Sequence, residues 1–548
     1  MTEQPTSQSA KADGAGNSPP SFTLADFLEA RAASTRPCLL QDGLSISWSD
    51  LATCSRAFAG GLAEIGVKPG DRVAIWLPNG MAWLVAFFAC GQLGATAVAI
   101  NTRFRSAEVG DLLRRSGSKV LIYWPGFKHI DFDGILDQCP TAMLGELEHV
   151  VLYSEGKSRL PTAVAGKPAK AYADMVMRAP LRETFGTAES PCLIVTTSGT
   201  TKAPKLVQHS QRNVLRHACN VTRQYRLGAD SRLMLCPPLC GVFGFNGAMA
   251  ALTARSSLIL APRWDAGVTA GLIERYGATH MIASDDAVGQ LLDIRPAERI
   301  FPTLQLIGAA HFNPAMADIV ARGEQRGLTI VGLYGSSELQ ALFSLGDRDA
   351  AASIRGRAGG RPASAVAKVR VRDPHTRRIC EAGEAGELEF FAPDSRFIGY
   401  FGDGEATEQA FTSDGYFKSG DLGSVEPDGS FVFLARMGDT LRLSGFLVAP
   451  AEIEALIQQH PAVASCQVVG VEQGGAMRPI AFAIARPDVE VIEQDVIGFA
   501  AARLARYKVP ARLLVIEAFP TTSGANGTKV QKSKLREMAV QRLSDDSK

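Results

Sequence analysis

Apolar positions follow two rhythms along the chain. Up to about residue 181, runs long enough for helices (24–33, 51–65 and 107–116) alternate with short aliphatic or β-branched runs (73–77 and 119–123). This alternation predicts an α/β fold in which helices cover both faces of mostly parallel sheets. Residues 182–190 read as a linker. The alternation then resumes through 258–260, 273–276, 279–282, 304–307 and 330–333, each bounded by Gly, Pro or polar residues. After Arg361-Pro362 the runs shorten to 368–371, 387–391, 415–418 and 430–434, the last following the turn Pro427-Asp428-Gly429. These predict a small antiparallel β region. A helix over 452–460, strands over 465–471 and 480–485, a helix over 493–504 and a strand over 512–516 predict a compact α+β unit at the end.

One apolar stretch, 81–100, has only Gln92 and Thr96 as polar side chains and is long enough to span a membrane. Gly91, Gly94, an alanine-rich second half and the lack of flanking basic clusters instead predict a buried helix turning into a strand. Residues 1–21, rich in Ser, Gly, Pro and Ala, lack the apolar segment of a signal peptide and are expected to be a disordered tail. At 548 residues the chain exceeds what one core can serve, so at least two domains are expected. A net charge of +1 gives no general electrostatic case for nucleic acid or a membrane surface as partner. Ten cysteines without a disulfide or zinc pattern indicate reduced thiols in a cytoplasmic protein.

Residues 193–210 carry the candidate chemistry. Four apolar or β-branched residues run into Thr196, Thr197, Ser198, Gly199, Thr200 and Thr201, with Lys202 and Lys205 following. Hydroxyls, a glycine that admits an anion close to the backbone and flexible ammonium groups suit a polyphosphate. Taken alone, the stretch is equally a solvated Ser/Thr-rich connection.

Thr197-Ser198-Gly199-Thr200-Thr201-x-x-Pro204-Lys205 resembles the phosphate loop of the adenylate-forming (AMP-binding) superfamily, which includes acyl-CoA synthetases, luciferases and peptide-synthetase adenylation domains. Four further motifs follow in family order: Tyr334-Gly335-Ser336-Ser337-Glu338, Gly415 to Asp421, Arg436 with Gly445 to Glu454, and Gly527-Thr528-Lys529. The resemblance implies a large domain over 22–436 and a smaller mobile α+β domain over 437–548. It implies ATP, Mg²⁺ and coenzyme A as cofactor and co-substrates.

Forming an acyl adenylate brings two anions together, so fixed donors and cations are the natural catalysts. By resemblance, Thr197, Ser198, Gly199, Thr200, Thr201 and Lys205 hold the β- and γ-phosphates. Glu338 brings Mg²⁺, and Ser337, replacing a commoner Thr, reaches the α-phosphate. Tyr334, followed by Gly335, covers the adenine; Asp421 accepts the ribose hydroxyls and Arg436 adds a donor. Lys529 bridges carboxylate and α-phosphate, and after rotation of the small domain Gly445 lines the thiol entry.

Gly241 stands where the family has an aromatic residue or His. With Phe243, Phe245, Asn246, Gly308, Ala309 and Ala310 it is expected to line a roomy apolar pocket for an aromatic, alicyclic or medium- or long-chain acid. Lys202 and Leu206 replace usual glycines, and Gly438 stands at the expected pivot where Asp or Lys is usual. The implied function is an acyl-CoA synthetase acting on a carboxylic acid, ATP and CoA, with no nucleic-acid partner, no integral membrane segment and a homodimer as candidate assembly. A stand-alone enzyme loading a carrier protein and a catalytically impaired nucleotide-binding homologue are the alternatives.

Overall fold

The computed structural model describes residues 23–545 except 42, 157–159, 198–203, 296–298, 312–315, 317, 444–445, 474–475 and 525–526; the side chains of 129, 442, 446–447, 476, 522–524 and 527–529 also lie outside the description. Two large sheets organise the first four-fifths of the chain. The nine-stranded sheet has a parallel centre running through Pro191–Thr196, Thr96–Ala99, Arg72–Trp76, Val120–Tyr123, His149–Leu152 and Lys167–Ala171. The thirteen-stranded sheet has a parallel centre through Ile330–Tyr334, Leu306–Ala310, His280–Ser284, Arg232–Leu235, Ser257–Leu260 and Pro37–Gln41. Parallel strands buried on both faces need continuous apolar runs, and Val120–Tyr123 and Leu306–Ala310 have them.

The stretch 81–100 forms the helix Met81–Leu93 and the strand Thr96–Ala99, as expected. Gly94 ends the helix in a left-handed conformation (φ 71°), its N–H reaching back to Cys90 and Gly91. Gly91 lets Leu24 pack flush, since a Cβ there would sit 2.4 Å from Leu24 Cδ1. Among the described residues no helix is long and apolar enough to cross a membrane.

The antiparallel strands expected after residue 361 form and are continuous with the main sheet. Lys368–Arg372, Gly386–Phe391, Phe417–Val425 and Phe431–Arg436 extend the thirteen-stranded sheet, joined to its centre by the short strands Ser344–Leu345 and Gly359–Pro362. Gly359 and Gly360 make the joint possible: both have positive φ, and a Cβ on either would lie within 2.2 Å of a neighbouring carbonyl oxygen.

From Leu441 the chain builds a second core around Ile453, Val468 and Ala481. The helix Pro450–Ile457 starts with proline at its first turn and packs against the strand Val463–Gln473, the first of a three-stranded sheet continued by Ala476–Ala485 and Arg512–Val515. Glu454, 2 % exposed, accepts from the Val468 N–H at 2.8 Å and from Lys532 Nζ at 2.8 Å, which ties the final helix Lys532–Asp545 to this core. The strands Thr521–Gly524 and Gly527–Val530 form an antiparallel hairpin in which Lys529 stands opposite Thr522.

The expected acid pocket needs correction. Phe245 is fully buried, its ring edge-on to Phe87 at 4.9 Å and beside Trp83 at 5.9 Å, and Phe243 is buried in the same core. Ala309 alternates away from Gly308 and Ala310 and packs on the other face with Ile307 and Ile330. Gly308 does not leave space: the buried Tyr225 ring fills it, with the hydroxyl 2.4 Å from where a Cβ would stand. Gly308→Ala is therefore expected to cost about 1–3 kcal/mol as an overpacked core site. Tyr225→Phe alone should be neutral or mildly stabilising, because its buried hydroxyl has no hydrogen-bond partner among the described residues. The double variant should recover part of the loss, and calorimetric melts of wild type and the three variants check both outcomes.

Candidate functional site

The strands Pro191–Thr196 and Leu206–Ser210 form an antiparallel hairpin. Its mouth is closed by Thr197 and Lys205: the Thr197 N–H donates to the Lys205 carbonyl at 3.0 Å, and the Lys205 N–H to Thr197 Oγ1 at 3.0 Å. Ser198, Gly199, Thr200, Thr201 and Lys202 lie outside the described residues. Leu206 is 1 % exposed and packs in a core cluster, so this departure from glycine serves the strand and its apolar contacts. His209 is fully buried, and burial pushes its imidazole down to about 3, leaving it neutral.

The second element ends the strand Ile330–Tyr334. Gly335 packs on the returning chain, where a Cβ would lie 2.5 Å from Ala341 Cα. Three successive residues, Gln340, Ala341 and Leu342, have φ of 64°, 49° and 42°. Left-handed non-glycine residues cost on the order of 1 kcal/mol each and persist where surroundings hold them. Here His217 Nε2 bonds the Ala341 carbonyl at 2.8 Å and Gln340 Nε2 donates to the Ser395 carbonyl at 3.1 Å. The tight return leaves Ser337 and Glu338 half-buried at the cleft. Glu338 is fixed twice: its carbonyl accepts from the Phe397 N–H at 2.9 Å, and its Oε1 accepts from Tyr400 Oη at 2.9 Å.

The third element is a cross-strand pair, Asp421 opposite Arg436. Arg436 Nε lies 3.1 Å from Asp421 Oδ1, and Tyr334 Oη donates to Oδ2 at 2.6 Å. Asp421 is 1 % exposed; burial pushes its carboxyl up, while Arg436 and Tyr334 pull it down. Oδ1 takes no hydrogen bond among the described residues and keeps acceptor capacity for hydroxyl groups. Tyr334 is 6 % exposed, stacks on Phe390 at 5.4 Å and meets Phe431 and Phe433.

Tyr400 was not anticipated. Its strand Gly399–Tyr400 pairs with Leu206–Ser210, so its ring lies under the hairpin mouth, with Lys205 Nζ 4.2 Å above the ring centroid. One tyrosine thus joins the phosphate-loop lysine to Glu338. In the sequence it is one aromatic of the run Phe397-Ile398-Gly399-Tyr400-Phe401, outside the motifs. His217 was missed likewise, as one buried polar position on the helix Gln211–Gln224.

Among the described residues no three His, Cys, Asp or Glu side chains form a metal cage. Glu338, with Oε1 held by Tyr400 and Oε2 without a described hydrogen bond, fits a hard cation ligated mainly by phosphate oxygens and water. On the acid side, Gly241 caps the helix Val242–Thr253, and the buried Asn246 donates to the Val242 carbonyl at 3.2 Å while its Oδ1 has no partner among the described residues. Gly445 and the Lys529 side chain lie outside the described residues. Beside Pro237 and Cys240 lies an opening of about 690 Å³ rimmed by Arg103, Lys128 and Arg263. Burial, and then the charges of Arg263 and Arg103, push the Lys128 ammonium down to about 8.

The AMP-binding enzyme family model matches residues 28–401, and the AMP-binding enzyme C-terminal domain matches 452–525. A feruloyl-CoA synthase of an Amycolatopsis species is 28% identical over 530 residues, covering 92% of this chain and 96% of that protein. A mitochondrial medium-chain acyl-CoA ligase of Bos taurus is 26% identical over 509 residues, covering 89% and 82%. ATP-bound MatB from Rhodopseudomonas palustris superposes with a TM-score of 0.81 at 22% identity, over 95% of this chain and 99% of that one. The anthranilate CoA ligase AuaEII in complex with anthranoyl-AMP gives 0.82 at 23% identity, over 96% and 99%. With its hairpin, its carboxylate pair and both family domains in place, this chain belongs to the AMP-binding enzyme family.

Proposed function

We propose that the chain is an acyl-CoA synthetase with a large domain over 22–436 and a mobile domain over 437–548. The observation that carries the reading is the meeting of Lys205 and Glu338 on Tyr400, beside the Asp421–Arg436 pair. In the first step a carboxylate oxygen attacks the α-phosphorus of ATP, the bond to the bridging oxygen breaks, and pyrophosphate leaves. The hairpin mouth and Lys205 grip the terminal phosphates, Ser337 faces the α-phosphate, and Asp421 accepts the ribose hydroxyls. Mg²⁺, when bound, would neutralise phosphate charge, with Glu338 as its protein ligand. Lys529 offsets the repulsion between the two reacting anions. Gly438, in the turn Met437–Asp439 and with open space about its Cα, suits a pivot bringing the Lys529 hairpin to and from the cleft.

In the second step the CoA sulfur attacks the mixed anhydride, AMP leaves, and the thiol proton passes to solvent. The basic opening at Lys128 suits the phosphates of CoA. A bulky acid, aromatic or medium-chain, fits the missing side chain at Gly241 and agrees with the substrates named for the feruloyl and medium-chain relatives. The free state of the described cysteines agrees with a cytoplasmic setting.

A panel of acids screened by AMP release tests the reading, and ATP turnover that needs a carrier protein and ignores CoA would reassign the acceptor. Lys529→Ala should lower acid-dependent ATP–pyrophosphate exchange by about a hundredfold or more, while thioester formation from supplied acyl adenylate changes by less than about tenfold. Lys128 is charged below about 8 and neutral above it, so the KM for CoA should rise as pH passes upward through that value. Lys128→Met should raise KM at neutral pH and flatten the profile, as steady-state assays with CoA varied would show.

A further inference from the structure

We infer that Tyr400 is a positioning residue that keeps Lys205 and Glu338 from neutralising each other, leaving the ammonium for the phosphates of ATP and the carboxylate for the metal. The inference rests on the adenylation reading above and extends it to a residue that no motif marked. Lys205 Nζ sits over the ring face at 4.2 Å, and Glu338 Oε1 accepts from the hydroxyl of the same ring at 2.9 Å. Among the described residues neither Lys205 nor Glu338 makes an ion pair.

A lysine on a flexible stem at an exposed hairpin mouth ordinarily settles on the nearest carboxylate. Such a contact would occupy both groups that the reaction needs, and it would have to break before ATP and metal could bind. A ring face attracts the cation without neutralising it, and a phenolic O–H orients a carboxylate while leaving its second oxygen open. The ring is fixed for this task. Tyr400 is 7 % exposed, its N–H donates to Thr407 Oγ1 at 2.9 Å, its strand is paired at Val207, and Phe397 packs beside it with ring centroids 4.9 Å apart. The Lys205 backbone is held from the other side by Thr197.

Equilibrium ATP binding without any acid, measured by calorimetry in Mg²⁺ and in EDTA, tests this on the full chain, with melting temperatures as a fold control. Tyr400→Phe keeps the ring, so ATP affinity in EDTA should stay within about twofold of wild type, while the Mg²⁺ concentration needed for half-maximal enhancement rises about tenfold with loss of one hydrogen bond to a charged group. Tyr400→Leu removes the ring as well, and affinity in EDTA should fall about fivefold as Lys205 pairs with Glu338. Adding Glu338→Gln to Tyr400→Leu should restore it, which a purely packing role for Tyr400 does not predict. A folded Tyr400→Phe with the wild-type Mg²⁺ response, or a folded double variant without recovery, overturns the inference alone. Should the leucine variants not fold, the phenylalanine variant decides. A wild-type chain that binds no ATP overturns the adenylation reading and this inference with it.

Discussion

The candidate site depends on a two-residue strand pairing. Gly399 and Tyr400 add to the edge of the nine-stranded sheet opposite Gln208 and Val207. That edge contact carries a segment from the second half of the chain to the mouth of the Thr197–Lys205 hairpin. Without it, Glu338, at the end of a strand in the other large sheet, would have no side-chain link to the hairpin. Backbone hydrogen bonds thus set the distance between a cation and an anion that no local motif relates.

Around that joint, ordinary packing maintains an unusual backbone. The run Gln340 to Leu342 is left-handed throughout, and the close approach at Gly335 requires it to stay so. The surrounding contacts reach it from one helix and one loop: His217 from Gln211–Gln224, and the Ser395 carbonyl. The loop is itself anchored, because Asp394 accepts from Asn220 at 3.1 Å and from Ser364 at 2.6 Å. Local strain is tolerated here because several separate elements would have to yield together to relieve it. The same bracing holds Glu338 half-buried at the cleft.

The acid side follows a different logic. Small residues at 308–310 and aromatics at 243 and 245 suggested open volume, yet Tyr225, Trp83 and Phe87 occupy it. A small residue creates space only if no neighbour fills it, and interiors are packed densely enough that neighbours usually do. The helix Val242–Thr253 itself carries Gly241, with no side chain, at its start and the buried Asn246, whose Oδ1 has no hydrogen-bond partner among the described residues.

Periodicity was enough to anticipate both large sheets, the buried helix over 81–93 and most of the C-terminal unit, because apolar spacing directly reports which positions are buried. Residue type was enough to mark Lys205 and the hydroxyl-rich stretch before it as suited to phosphate, and resemblance to the family's motifs was enough to propose Glu338, Asp421 and Arg436. Tertiary structure alone decided that the late antiparallel strands extend the main sheet, that Ala309 faces away from Gly308, and that Tyr400 stands between Lys205 and Glu338. Those outcomes depend on strand register and on contacts between residues up to about two hundred positions apart, and hydropathy along a chain carries no record of which distant edge a two-residue strand will pair with.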